Sequence, residues 1–238
     1  MSTHVLVIAP HHDDEAIGCG GTIARLAAAG CDVATVHVFA GTSGIAGLDP
    51  LACSGARAGE AEAAAAVLNT RVLPSLGFED RGPVSPQTIA RALVRTVREL
   101  RPRIVFAPHA GEPDAEHALV AAAAIESVWM SRAPIWPEQG EPVSESILIL
   151  GYEVWRPMTN VGLFVDIGAF IDVKRRALAA FASQMTPEGW LSGAIGLSAY
   201  RGTTLLGGGY AEAFSTHAAS CDALSVLIAA LETSEPKR

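Results

Sequence analysis

Apolar positions along the chain come in two recurring forms. The first is the short unbroken run: HVLVIA (4–9), DVATVHVFA (32–40), RIVFAP (103–108), SILILGYEVW (146–155) and GLFVDI (162–167). All read as strands, and HVLVIA, β-branched and too short for a helix, and RIVFAP read as buried ones. A shorter strand is expected within TRVLPSLGFEDRGPVSP (70–86), the rest of which is loop. The second form is helical spacing. QTIARALVRTVREL (87–100) sets Ile89, Leu93, Val94, Val97 and Leu100 on one face, and Pro102 stops it. Helices are likewise expected over 20–30, closed by Gly30, and over 56–69, 115–130, 171–185 and 221–234. GTSGIAGLDPLACSG (41–55) is rich in turn residues and reads as loop, and the closing SEPKR as a frayed tail. Strand–helix alternation predicts an α/β fold with a mostly parallel sheet and helices on both faces. No repeat, linker or break in composition divides the 238 residues, so one domain over 1–238 is expected.

The polar clusters fall at one kind of place. HHDDE follows the first run, GTSG the second, and PHAGEPDAEH follows RIVFA. In open α/β sheets, ligands bind beyond the carboxyl ends of the strands, so these are the positions of a site. Charge and composition then remove several classes. The net charge is −8 with no Lys/Arg cluster, which argues against a nucleic-acid partner. No charge-free apolar run reaches about 18 residues, so no membrane span is expected. VLVIAP lacks the length and the positive flank of a signal-peptide core. Cys19, Cys31, Cys53 and Cys221 form no CxxC pair and read as reduced thiols of a cytoplasmic protein.

Two histidines and three carboxylates crowd together at 11–15. A divalent cation answers their repulsion. Adjacent residues cannot all face one ion, but a bent loop can aim His11 and Asp14 inward and leave Asp13 beside the metal. His117 opens a helix after another strand and can reach the same rim. The result is a His–Asp–His site with Asp13 free to act as a base. Purely structural roles stand beside this reading. Asp13 and Asp14 suit a helix start, and Asp114 with Glu116 suits an N-cap and first-turn acid. The glycine-rich GCGGTI has Ile23 where a dinucleotide fingerprint needs its last glycine, and acids precede it. No G-x-S-x-G occurs, and Ser43 has no local base.

PHHDDE resembles the HPDDE signature of the PIG-L/LmbE-like family of metal-dependent N-acetylglucosaminyl deacetylases. RAGEAEAAAAVL resembles the family's Arg-x-x-Glu helix, LGFEDRG its LGFPDG, PHAGEPDAEH its PH…HPDH loop, and VDIGAFIDVKRRALAAFASQM its closing segment, all in the family's order. The resemblance implies a Rossmann-like sheet, one zinc (with Fe2+ as the alternative), and hydrolysis of an acetamide on an amino-sugar substrate. It puts His11, Asp14 and His117 at the ligand positions and Asp13 at the general acid/base position. Arg57 and Asp80 fall where the family contacts sugar hydroxyls, although Arg57 also stands at helical spacing from Glu60, and Asp80 suits a turn. A homo-oligomer is compatible with the chain.

Two departures from the pattern matter. His12 replaces a proline, and DAEH stands where HPDH is expected. Asp114 thereby occupies the place of a histidine that helps stabilise the developing oxyanion, which a carboxylate cannot do as an imidazolium can. Three candidates remain open for that role: Asp114 itself, protonated within a crowd of acids, His109 or His12. In this reading Asp114 is catalytic and His109 contacts substrate. Glu112, Asp114 and Glu116 together would make an acidic mouth that favours a positively charged substrate. The expected activity is that of a zinc-dependent hydrolase, an N-deacetylase acting through metal-activated water. The alternatives are an amidase for larger N-acyl sugar or thiol conjugates, and a metal- or sugar-binding protein that has lost catalysis through DAEH.

Overall fold

The computed structural model describes residues 3–184, 189–218 and 221–234. Its strands are β1 (His4–Ala9), β2 (Asp32–His37), β3 (Arg71–Val72), β4 (Ile104–Pro108), β5 (Leu148–Tyr152), β6 (Leu163–Asp166) and β7 (Ala211–Ala218). Its helices are α1 (Asp14–Ala28), α2 (Pro50–Leu68), α3 (Pro86–Leu100), α4 (Ala115–Ser131), α5 (Ile171–Ala180), α6 (Trp190–Leu206) and α7 (Cys221–Thr233). The strands form one sheet in the order β3-β2-β1-β4-β5-β7-β6. β1 to β5 pair in parallel, while β7 runs antiparallel to both β5 and β6. The expected mostly parallel α/β sheet is thus present, closed on one side by an antiparallel pair.

Alternation along β1 divides the core. Val5 and Val7 pack with residues of α1, α2, α5, α6 and α7 on one face, and Leu6 and Ile8 with α3 and α4 on the other. In α3 the expected face is the buried one, with Ile89, Leu93, Val94 and Val97 inaccessible. β2 lies on one side of β1 and β4 on the other, so the chain reverses its winding between β1 and β4. A crevice therefore opens at the ends of exactly those two strands, because the segments that follow them leave toward opposite faces.

Several elements differ from the expected bounds. α1 begins at Asp14, so the acidic cluster forms its first turn rather than a preceding loop. α2 begins at Pro50 because the Asp49 side chain accepts the Ala52 N–H at 2.9 Å, and proline suits a first helical position. Helix α6 and strand β7 were not expected from the apolar pattern. α6 is built largely of small residues, and β7 buries Glu212 among its apolar positions. α5 ends at Ala180; Met185 and all of SEPKR but Ser234 lie outside the described residues.

The glycines of GCGG are packing residues. A Cβ on Gly18 would overlap the Tyr152 ring, and one on Gly21 would stand 2.7 Å from the Ile167 side chain. α1 also kinks at Cys19, whose φ of −142° is not helical. The Glu212 carboxylate accepts the freed N–H groups of Gly21 (2.9 Å) and Thr22 (2.7 Å) and the Lys174 ammonium (2.6 Å).

Candidate metal centre

His11 leaves the end of β1, Asp14 opens α1, and His117 sits in the first turn of α4 after β4. The crevice between β1 and β4 thus joins residues more than 100 positions apart. Asp14 Oδ2 lies 3.4 Å from His11 Nδ1 and 3.3 Å from His117 Nε2. One ligand atom from each of the three residues falls within 4.8 Å of the others. Two ligands bound tetrahedrally to zinc at its usual ~2.0–2.2 Å stand about 3.3–3.5 Å apart, so the donor set and spacing fit such an ion.

The other nitrogen of each imidazole faces a carboxylate. His11 Nε2 is 2.7 Å from Glu116 Oε2, and His117 Nδ1 is 3.5 Å from Glu112 Oε2. These contacts turn the remaining nitrogens toward Asp14 and raise their basicity as ligands. Burial opposes protonation of His11, but Asp14 and Glu116 outweigh it and push its pKa up to about 10. His117 is likewise raised, burial being outweighed by Asp14 and Glu112. Both shifts share one cause, the carboxylates that face the rings, and a cation bound by these nitrogens would take the place of their protons.

Glu112 is itself fixed from behind. It accepts the N–H groups of Val154 (2.9 Å), Trp155 (3.0 Å) and Arg156 (3.4 Å), and its Oε1 is 3.1 Å from His109 Nε2. Despite burial, bonds from His109, His117 and these amides hold its carboxyl well below the usual range. His109 consequently lies one layer behind His117, 6% exposed, and lines a separate cavity with Ser215 and His217. The expectation that His109 contacts substrate in the metal cavity is not matched by this placement.

Asp13 caps α1 through its carbonyl, which accepts the N–H groups of Ala16 and Ile17. Its φ of 140° is a strained conformation for a residue with a side chain, of the kind that costs about 1–3 kcal/mol and clusters at functional sites. Burial, then the neighbouring Asp14, pushes its carboxyl well above the ordinary value, against the pull of Arg57. Arg57 Nη2 is 3.7 Å from Asp13 Oδ1 and donates to the His12 carbonyl at 3.0 Å. Glu60 bonds Ser183 instead, so the helical pairing of Arg57 with Glu60 does not form. Asp80 accepts the N–H groups of Gly41 (2.9 Å) and Ser43 (3.1 Å) and thereby holds the 41–44 loop over the crevice.

A cavity of about 190 Å³ unites these groups. His11, Asp13, Asp14 and His117 line its floor with Arg57, Asp80 and Arg81 beside them, and Trp155 and Trp190 stand at its rim. The two indoles meet edge to face at 4.4 Å. Asp114, expected as a catalytic group, does not line this cavity. It caps α4, accepting the N–H groups of Glu116 (2.9 Å) and His117 (3.3 Å), and it pairs with Arg81 at 2.9 Å. Burial raises its carboxyl, but the Arg81 bond and His117 win and lower it below the ordinary value, so it is an anion and not a protonated donor. His12 is buried against His37, with ring centroids 4.1 Å apart. Burial, His37 and Arg57 lower its pKa to about 2. The acidic mouth does not form either: Glu112 and Glu116 are 5% and 4% exposed and point inward, while the arginines reach the cavity.

The fold and site define an α/β protein with a His–Asp–His group that could hold a cation at the switch point of its sheet. Residues 6–128 match the family model described as PIG-L: GlcNAc-PI de-N-acetylase, and the chain belongs to that family. It is 31% identical over 204 residues to a diacetylchitobiose deacetylase of Thermococcus kodakarensis, a match covering 78% of this chain and 72% of that protein. It is 29% identical over 243 residues to a 1D-myo-inositol 2-acetamido-2-deoxy-alpha-D-glucopyranoside deacetylase of Rhodococcus jostii, covering 76% of this chain and 82% of that one. A solved structure of N,N'-diacetylchitobiose deacetylase from Pyrococcus horikoshii superposes with a TM-score of 0.82 at 27% identity, covering 91% of this chain and 84% of that one. No helix among the described residues is long and apolar enough to cross a membrane.

Proposed function

We propose that this protein is a zinc-dependent hydrolase that removes the N-acetyl group from an amino sugar or sugar conjugate. The observation that carries the reading is the meeting of His11, Asp14 and His117 in one cavity with the strained carboxyl of Asp13, whose proton affinity burial and Asp14 raise. The named activities of the relatives support the acetamido-sugar class. His11, Asp14 and His117 would hold the metal, Glu116 and Glu112 bracing the two imidazoles. A bound divalent cation supplies Lewis-acid chemistry, polarising the acetyl carbonyl and making water a stronger acid.

The chain's own groups do the rest. The Asp13 carboxylate takes a proton from the attacking water. The carbon–nitrogen bond of the amide breaks, and Asp13 delivers that proton to the departing amine, leaving acetate and the free amino sugar. Arg57 stays beside Asp13 and, with its bond to the His12 carbonyl, keeps that carboxyl aimed into the cavity. Asp80 holds the Ser43–Gly44 backbone as a wall for sugar hydroxyls. The volume is below the ~300–1,000 Å³ of drug-sized sites, so it takes the acyl group and one ring, and any further substituent lies over the rim indoles.

Zinc-loaded protein is expected to release acetate from N-acetylglucosamine conjugates. Asp13→Asn should lower kcat by at least about 10²-fold while zinc still binds with wild-type affinity. Turnover that survives Asp13→Asn would sink the assignment of Asp13, and zinc binding with no acetate from any acetamido sugar would sink the activity.

A further inference from the structure

Position 81 sets backbone against side chain. Arg81 has a φ of 61°, a left-handed conformation that glycine adopts freely and that penalises residues with a Cβ. Yet the residue there is an arginine, and the turn aims its main-chain N–H and its Nε at one carboxylate. Its main-chain N–H donates to Glu116 Oε1, and its Nε lies 3.3 Å from Glu116 Oε2. The far end of the guanidinium is held by Asp114, with Nη2 at 2.9 Å from Oδ2 and Nη1 donating to Oδ1 at 3.1 Å. The Arg81 side chain is 59% exposed, whereas that of Glu116 is 5% exposed and its Oε2 stands 2.7 Å from His11 Nε2.

We propose that Arg81 is a positioning residue of the metal centre. It locks the buried Glu116 against His11 Nε2, which keeps His11 Nδ1 turned toward Asp14 and His117. Asp114, in turn, anchors the guanidinium and caps the helix that carries His117. The DAEH segment therefore serves the site through Arg81, a residue more than 30 positions earlier, and not by donating into the cavity. The inference rests on the reading of His11, Asp14 and His117 as metal ligands.

The test is zinc affinity, measured by competition with a chromophoric chelator, together with the unfolding midpoint of the metal-free protein. Arg81→Gly removes the fork but suits the backbone. It is expected to weaken zinc binding about 10–100-fold, the usual effect of losing a group behind a ligand, with the metal-free midpoint little changed. Arg81→Lys keeps the charge without the fork and should fall between wild type and Arg81→Gly. Glu116→Gln should weaken zinc to a similar degree, and combining it with Arg81→Gly should cost little more, since both act through one link. Wild-type zinc affinity in Arg81→Gly overturns the proposal: a lowered midpoint would then mark Arg81 as a loop staple only, and a lowered kcat would mark it as a group touching substrate. A wild-type protein that binds no zinc overturns the metal reading and this inference with it.

Discussion

α1 carries a buried charge cluster on each side of its kink, and the two are opposites. At the kink, Lys174 donates to Glu212 (2.6 Å) and to the Ile17 carbonyl (2.8 Å), while Glu212 also accepts two helix amides. Lys174 and Glu212 are 1% and 3% exposed, one charge of each sign, with their hydrogen bonds closed among themselves. At the start of the same helix, Asp14, Glu112 and Glu116 surround two imidazoles, and the free nitrogens converge on one point. The first cluster is complete within the chain and holds the fold. The second turns one nitrogen of each imidazole and the Asp14 carboxylate toward a cavity, where a cation could join them. Burial does not distinguish the two; whether the polar atoms close on one another or face a cavity does.

The sharpest way to break this comparison is to remove one member of each cluster. Asp14→Ala should abolish acetate release and the stabilisation that zinc confers, which in wild type is about 2.7 kcal/mol at a hundredfold excess over Kd. The metal-free fold should survive, since His11 and His117 keep Glu116 and Glu112 as partners. A zinc-induced rise in Tm that persists in Asp14→Ala would show that the ion binds elsewhere. Lys174→Met should do the reverse. It strands a buried carboxylate, so urea titration should read a loss of about 3–5 kcal/mol, while the folded protein keeps its zinc affinity. If zinc affinity fell in step with stability, the two clusters would be coupled through α1 and the contrast drawn here would fail.

A smaller effect sharpens the comparison with a third buried group. His12 lies next to a ligand in sequence, yet it is neutral and stacked on His37. Its folded pKa of about 2 is below the unfolded 6.5, so only the unfolded chain gains a proton as pH falls through 6.5. The sign is therefore destabilising toward acid, by about 2 kcal/mol between pH 6.5 and 5. His12→Gln should flatten that slope in metal-free protein, and an unchanged slope would place the acid-sensitive group elsewhere.

Much of the fold could be read from apolar spacing because each of those elements is decided locally. The runs at 4–9 and 103–108 became β1 and β4, and the helical face of 87–100 became the buried face of α3. α6 and β7 escaped the same reading. The small residues of α6 give no apolar stripe, and the buried Glu212 interrupts a strand pattern for the sake of a bond to α1, some 190 positions away. At the site, His11, Asp13 and Asp14 were legible as a crowd of charges, and His117 as a histidine at another strand end. The roles of Asp114 and His109 were not. An acid three residues before a histidine can cap a helix or face a substrate, and only the arrival of Arg81 decides for the cap. Trp155 left no signal in its strand-like run, because its place at the rim depends on a loop hung from Glu112.

Local order along the chain thus accounts for the alternation of strand and helix and for the chemistry available at each strand end. Both follow from spacing within a few residues. The three-dimensional packing alone chose among the acids: Asp14 between the two imidazoles, Glu112 and Glu116 behind them, Asp114 as a cap paired with Arg81, and Glu212 as the partner of a buried lysine. Their identical carboxylates carry no mark of these fates. Each is set by what the rest of the chain brings within about 3 Å of it, where a hydrogen bond to a charged group is strong enough to matter.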